Sequence, residues 1–166
     1  DLNSGAPREV HQPSPNAFAR TLAFSPDGRW LASYTTGHRR VLLWPVDRSS
    51  GEARVLELGA EARALTFSAD GNSLFAATLD GNLGVWDLSV SDPPVLLPGH
   101  RDAVNGLAFL GREPVLISAS RDGTARRWQT DAAALARASQ PLSEFEVLSP
   151  AVDRQVGLAL AVAPDQ

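Results

Sequence analysis

Three tryptophans recur at a constant interval, and this periodicity constrains the fold more than any other feature of the chain. They are Trp44, Trp86 and Trp128, and each lies 42 residues after the one before it. Three phenylalanines keep nearly the same interval, with steps of 43 and 42 residues: Phe24, Phe67 and Phe109. A period of this length predicts a repeat architecture in which each repeat is one supersecondary unit.

Each repeat contains short apolar runs that are separated by tight turns. Ser25-Pro26-Asp27-Gly28 in the first repeat is matched by Ser68-Ala69-Asp70-Gly71 in the second, and Asp80-Gly81 is matched by Asp122-Gly123 in the third. Proline fixes the backbone at the first corner of a turn and glycine accepts positive φ, so these segments predict hairpin turns. Each repeat is therefore expected to form four short antiparallel strands.

With these motifs and this spacing, the chain resembles the WD-repeat family of β-propellers. The resemblance implies an all-β fold in which each repeat is a propeller blade of four antiparallel strands. We predict an incomplete propeller with a blade tail at residues 1–16, three complete blades at 17–58, 59–98 and 99–149, and the start of a further blade at 150–166. Because propellers close with four to eight blades, the remaining blades are expected outside this fragment.

The resemblance also implies a structural tetrad of His, Ser or Thr, Asp and Trp, whose hydrogen bonds hold a blade together. The third repeat has all four members: His100, Ser118, Asp122 and Trp128. The other repeats have partial tetrads, namely Ser33 and Trp44 in the first and Asp80 and Trp86 in the second. The second repeat has Ala76 at the hydroxyl position, so Asp80 is expected to lack both its His and its hydroxyl partner.

His100, Ser118 and Asp122 are also the residue types of a catalytic triad. No nucleophile elbow of the form Gly-x-Ser-x-Gly surrounds Ser118, and the three residues coincide with the structural pattern of the family. We therefore interpret them as structural and predict no catalytic residue.

In proteins of this family, partners commonly dock on the rim where the loop before the first strand and the turn between the second and third strands emerge. Seven residues match such positions: Phe18, Arg20, Glu61, Arg63, Leu79, Asn105 and Arg121. The three arginines among them are expected on one face, where guanidinium groups suit an acidic or phosphorylated segment of a partner. The alternative is that they are scattered, solvated arginines, and the sequence leaves both interpretations open.

Composition excludes several classes of function. The net charge of −4 argues against general binding to nucleic acid or to an anionic membrane, because both depend on many positive charges. The absence of Cys excludes disulfides and cysteine-ligated zinc, and the three histidines have no carboxylates at metal-site spacing. No metal, cofactor, nucleic acid or membrane is therefore predicted as a partner.

The sequence thus predicts a non-enzymatic scaffold that presents its rim to a protein or peptide partner. One alternative is an enzymatic or small-ligand propeller with a site in the central channel, although Leu22, Leu65 and Leu107 make the inner strands apolar. Another is the sensor module of a multidomain bacterial signalling enzyme. A composition rich in Ala, Leu and Arg and without Lys favours a bacterial source, and a cytoplasmic location is expected.

Overall fold

The computed structural model describes residues 18–46, 53–90 and 93–130, and the backbone of a short strand at 147–148. Blade I consists of β1 (Ala19–Phe24), β2 (Trp30–Thr35), β3 (Arg40–Pro45) and β4 (Arg54–Glu57). Blade II consists of β5 (Ala62–Phe67), β6 (Ser73–Thr78), β7 (Leu83–Asp87) and β8 (Val95–Leu97). Blade III consists of β9 (Val104–Phe109), β10 (Val115–Ser120), β11 (Ala125–Gln129) and β12 (Val147–Leu148).

Each blade is a four-stranded antiparallel sheet whose strands follow one another in chain order. The prediction of an all-β, incomplete propeller built from four-stranded blades is therefore confirmed. The predicted blade tail at 1–16 and the predicted blade start at 150–166 lie outside the described residues.

The turn between the first two strands of blades I and II is held by the same hydrogen bonds. In blade I, the Ser25 hydroxyl donates to Asp27 Oδ1 at 2.6 Å and accepts from the Trp30 amide at 2.9 Å. Ser68, Asp70 and Ser73 repeat this arrangement in blade II. The hydrogen bond from Ser25, supported by the amide of Arg29, lowers the pKa of Asp27 to about 2.

The cores lie between blades rather than within them. One buried cluster joins Tyr34 and Leu43 of blade I to Phe67 and Leu74 of blade II, and a second joins blades II and III. A single sheet cannot bury its own faces, so each blade depends on its neighbours for most of its hydrophobic stabilisation.

The first strand of blade I has no neighbouring blade on its outer side among the described residues. Leu22 and Phe24 of β1 are 62% and 59% exposed, whereas the equivalent Leu65 and Phe67 of β5 are 8% and 5% exposed. The residue types are the same, and the difference arises because blade I covers β5 while no described blade covers β1.

Candidate functional site: a partner-binding rim supported by a buried blade network

The structure brings the four residues of the predicted tetrad together in blade III. His100 Nδ1 lies 2.9 Å from Asp122 Oδ2, and His100 Nε2 lies 2.7 Å from Ser118 Oγ. Trp128 Nε1 donates to the same Ser118 Oγ at 2.8 Å. A carboxylate can only accept, so Nδ1 carries the proton and Nε2 accepts the hydrogen of the Ser118 hydroxyl. The tetrad is thus a continuous chain of hydrogen bonds from the turn to the third strand.

The ionisation of this network agrees with a neutral imidazole beside a carboxylate. Burial lowers the pKa of His100, and this effect exceeds the opposing influence of Asp122. Burial raises the pKa of Asp122, but hydrogen bonds from Thr124, the Arg101 amide and His100 outweigh burial and hold the pKa below its usual value. Because Ser118 is only 1% exposed and the His100 ring is fully buried, a substrate cannot reach these two side chains.

The partial tetrads of blades I and II make fewer hydrogen bonds. In blade I, Trp44 Nε1 donates to Ser33 Oγ at 3.1 Å. In blade II, the expectation that Asp80 has no hydroxyl partner is wrong, because its carboxylate accepts a hydrogen bond from Thr78. Thr78 is the last residue of β6, two residues before Asp80, and so supplies locally the hydroxyl that Ala76 lacks.

Three of the predicted rim residues lie at β-bulges in the first strand of their blades. The pairing of β1 with β2 skips Arg20, the pairing of β5 with β6 skips Arg63, and the pairing of β9 with β10 skips Asn105. A bulge leaves one residue unpaired and redirects its side chain, and bulges are common beside functional sites. Arg20 and Asn105 are exposed and Arg63 is half-buried.

A backbone hydrogen bond connects the two segments of the rim in every blade. The residue just before the first strand accepts it from the first residue of the turn between the second and third strands. The donor and acceptor pairs are Thr36 to Phe18 (3.0 Å), Leu79 to Glu61 (2.9 Å) and Arg121 to Ala103 (2.9 Å). The rim residues from these two segments therefore lie side by side at one end of each sheet.

Thr36 belongs to this rim, although the sequence did not single it out. In the sequence, the turn aspartates Asp80 and Asp122 mark the rim positions of blades II and III, and blade I has no aspartate there. Its turn contains one additional residue, with Gly37 and Arg39 both at positive φ. The inserted residue removes the motif but leaves the hydrogen bond from Thr36 to Phe18 intact.

Charged groups of both signs meet at the junction of blades I and II. Tyr34 is buried below this part of the rim. Its pKa is raised, first by burial and then by the negative charge of Glu61, and the positive charge of Arg20 opposes this shift without cancelling it. Arg63 Nε is buried and has no hydrogen-bond partner among the described residues. Beside these guanidinium groups the rim also exposes apolar side chains, of which Phe18 is 71% exposed.

The described residues contain no cluster of three or more His, Cys, Asp or Glu side chains that could hold a metal ion. In the same parts of the chain, no helix has the length and apolar character needed to cross a membrane.

Comparison with known proteins identifies relatives of the chain. Telomerase protein component 1 of Rattus norvegicus is 33% identical over 111 residues, covering 64% of this chain and 4% of the relative. The non-catalytic subunit wuho of a tRNA (guanine-N(7)-)-methyltransferase from Drosophila melanogaster is 32% identical over 111 residues, covering 64% of this chain and 26% of the relative. The chain thus spans about a quarter or less of these relatives' length. Both come from animals, so a bacterial source stays a prediction.

Solved structures and a family model agree on the fold. The crystal structure of the RRP9 WD40 repeats superposes with a TM-score of 0.62 at 24% identity, covering 70% of this chain and 37% of that chain. The family model described as WD domain, G-beta repeat matches residues 10–44, 57–87 and 92–129, which is more than half of the chain. The chain therefore belongs to the WD40 repeat family of β-propellers.

Proposed function

We infer that this chain is the partner-binding part of a non-enzymatic scaffold, and that its rim binds an acidic or phosphorylated segment of a partner protein. WD40 repeat proteins generally act as scaffolds for protein interactions. The observation that carries the finer proposal is the equivalent placement of Arg20, Arg63 and Asn105 at the bulges of three successive blades. Three equivalent, redirected side chains at one end of three sheets form a repeated contact surface.

The chemistry of the rim favours an anionic segment. Guanidinium groups at Arg20, Arg63 and Arg121 provide planar, paired donors that match carboxylate and phosphate oxygens. Phe18 and Leu79 supply exposed apolar surface beside them, which suits the side chains that flank an anionic residue. In a protein of net charge −4, such a local group of positive charges selects the partner mainly by electrostatic complementarity.

No observation on the described residues favours the alternative of an enzymatic or small-ligand site in the central channel. A cytoplasmic location is part of the same proposal, and cell fractionation of the native host followed by detection of the chain tests it.

Charge reversal of the three rim arginines tests the proposed function. The probe is a fluorescent peptide with two phosphoserines flanked by glutamates, measured by anisotropy at low and high salt. We expect the triple variant Arg20→Glu, Arg63→Glu and Arg121→Glu to abolish binding, and the wild-type affinity to fall as salt rises. Each exposed pair contributes only about 0.2–1 kcal/mol, so the triple variant is more informative than any single one.

A matched control reverses three exposed arginines that lie outside the rim: Arg29, Arg112 and Arg127. It changes the net charge by the same amount, so an equal loss of peptide affinity in both triple variants would indicate non-specific electrostatic attraction. Thermal unfolding of each variant checks that the half-buried Arg63 can be replaced without loss of the fold. Retention of wild-type affinity by a folded rim variant would refute the proposal.

A further inference from the structure

A cavity opens between blades II and III at the end of the sheets opposite the rim. Its volume is about 610 Å³, which is within the range of ligand-binding clefts. Ser73 and Val95 of blade II lie on one side and Phe109 of blade III on the other. Phe75 fills the deeper part of this interface, where its ring meets that of Phe109 edge to face at 5.3 Å. The cavity therefore lies toward the surface, outside this aromatic pair.

The repeat itself explains why the described residues leave this space unfilled. Strand pairing places Trp30 of blade I at the position of Ser73, because they pair with Pro45 and Asp87 respectively. Trp30 packs against the core shared by blades I and II. One interface thus has an indole where the next has a hydroxymethyl group.

A second residue difference between the repeats leaves still more space between blades II and III than between blades I and II. Arg54 of blade I is equivalent to Val95 of blade II, because they pair with Leu43 and Val85. The Arg54 guanidinium crosses to blade II and donates to the carbonyl oxygens of Leu88, at 3.1 Å, and of Val90. At the interface of blades II and III the equivalent residue is Val95, which carries no guanidinium, and Thr130, the equivalent of Leu88, lines the cavity.

The charges around the cavity are mainly negative. Asp70, Asp87 and Glu113 line it with three carboxylates, against the single guanidinium of Arg112. Hydrogen bonds from Ser68 and Ser89, respectively, lower the pKa of Asp70 and of Asp87, so both are ionised at neutral pH. Among the described residues, Glu113 makes no side-chain hydrogen bond and Asp87 uses only Oδ1.

We propose that this cavity binds an arginine side chain of a partner protein. The internal precedent is Arg54, which shows that the equivalent space between two blades of this chain accommodates a guanidinium group with its apolar stem. Glu113 and Asp87 offer carboxylate oxygens for paired hydrogen bonds, and the Phe109 ring offers an apolar surface for the methylene groups. The cavity is a second interaction surface, independent of the rim and of opposite charge preference.

The probe is the peptide acetyl-Gly-Ala-Arg-Ala-Gly-amide, titrated into the ¹⁵N-labelled full chain and followed by amide chemical shifts. We expect saturable shifts at Ser73, Val95 and Glu113, and none with the same peptide carrying citrulline, which has the shape of arginine without its charge. Glu113→Gln is expected to raise the dissociation constant about two- to fivefold. The control Glu57→Gln removes an exposed carboxylate outside the cavity and should change nothing.

Two variants fill the cavity with the side chains that the first interface already uses. Ser73→Trp copies Trp30, and the turn backbone tolerates tryptophan because the Trp30 amide donates the same hydrogen bond to a serine hydroxyl as the Ser73 amide does. Val95→Arg copies Arg54 at a position that is 40% exposed, so it does not threaten folding. Both variants are expected to abolish the saturable shifts.

Four results would overturn the proposal. The first two are that the citrulline peptide binds as tightly as the arginine peptide, and that folded Val95→Arg binds the arginine peptide as tightly as the wild type. The other two are that Glu57→Gln and Glu113→Gln lose the same affinity, and that no saturable shifts appear up to about 10 mM arginine peptide. A wild-type chain that sediments as a dimer and becomes monomeric in Val95→Arg would instead assign the cavity to a second copy of the chain.

Discussion

Gly81, in a turn of blade II, lies directly against the backbone of His100 in blade III. The His100 amide donates to the Gly81 carbonyl oxygen at 3.2 Å, and a Cβ added at Gly81 would lie 2.5 Å from the His100 carbonyl oxygen. This contact connects a turn of one blade to the residue that begins the hydrogen-bonded tetrad of the next. Order in the tetrad therefore depends on the position of the neighbouring blade.

We expect Gly81→Ala to destabilise the chain by more than Gly123→Ala. The two glycines are equivalent and have similar φ values, 88° and 83°, so both alanines carry the strain of a left-handed backbone, about 1–2 kcal/mol. Among the described residues only Gly81 of this pair faces neighbouring backbone, since none of them lies within 4 Å of a Cβ at Gly123. Urea unfolding of both variants measures the difference, and equal losses would show that the contact between the blades has no energetic role.

We expect Asp122→Ala to destabilise more than Asp80→Ala. Asp122 accepts hydrogen bonds from His100, the Arg101 amide and Thr124, and an unsatisfied buried donor costs about 1–3 kcal/mol. Asp80 accepts a hydrogen bond from the Thr78 hydroxyl. This hydroxyl also lies 2.7 Å from the Asn82 carbonyl oxygen, so it still has an acceptor when Asp80 is replaced. Denaturant midpoints decide between them, and similar midpoints would contradict a dominant role for the tetrad of blade III.

The lowered pKa of His100 predicts how stability depends on pH. In the unfolded chain the imidazole takes up a proton below its ordinary pKa of 6.5, whereas burial keeps it neutral in the folded chain to lower pH. The unfolded state therefore binds more protons in this window, and stability falls as pH decreases below about 6.5. Asp122, whose pKa is lowered, adds a further loss only below its ordinary value of 3.8.

The measurement is the free energy of unfolding between pH 8 and about pH 5 for three chains. The wild type and the control His38→Gln should both lose stability below pH 6.5, because both chains keep His100. His100→Gln should be less stable overall but nearly independent of pH in this range. A slope that persists in His100→Gln would assign the pH dependence to another group.

The sequence could predict the blades because each strand is bounded by turn residues that recur at the period. Positive φ at Gly28 and Gly71 allows the same tight turn in two blades, and this signal is local. The bulges at Arg20 and Arg63 could not be predicted, because whether a residue is skipped depends on the partner strand. The Thr78 partner of Asp80 escapes prediction for a different reason, because the family pattern assigns the hydroxyl to the position of Ala76.

The cavity between blades II and III also could not be predicted from the sequence. Repeat alignment places Ser73 at the position of Trp30, but the size of the resulting space depends on how far Phe75 fills the interface from below. Packing between blades thus determines which substitutions leave a cavity, while spacing along the chain determines where the blades lie.

The exposed face of β1 gives the last prediction, which compares equivalent residues with different neighbours. Phe24→Ala should lower the free energy of unfolding by less than about 1 kcal/mol, because this side chain already contacts water. Phe67→Ala removes a ring that is 5% exposed in the core between blades I and II and should cost about 3–5 kcal/mol.

A dye that fluoresces on apolar surface gives a second comparison of the exposed residues of β1 with their buried equivalents in β5. The double variant Leu22→Ser and Phe24→Ser should reduce dye binding by the folded chain, since these side chains are the exposed apolar residues of β1. The matched variant Leu65→Ser and Phe67→Ser should increase it, because losing the core between blades I and II separates the sheets. Equal destabilisation by Phe24→Ala and Phe67→Ala, with unchanged dye binding in the β1 double variant, would mean that another part of the protein covers β1 in solution.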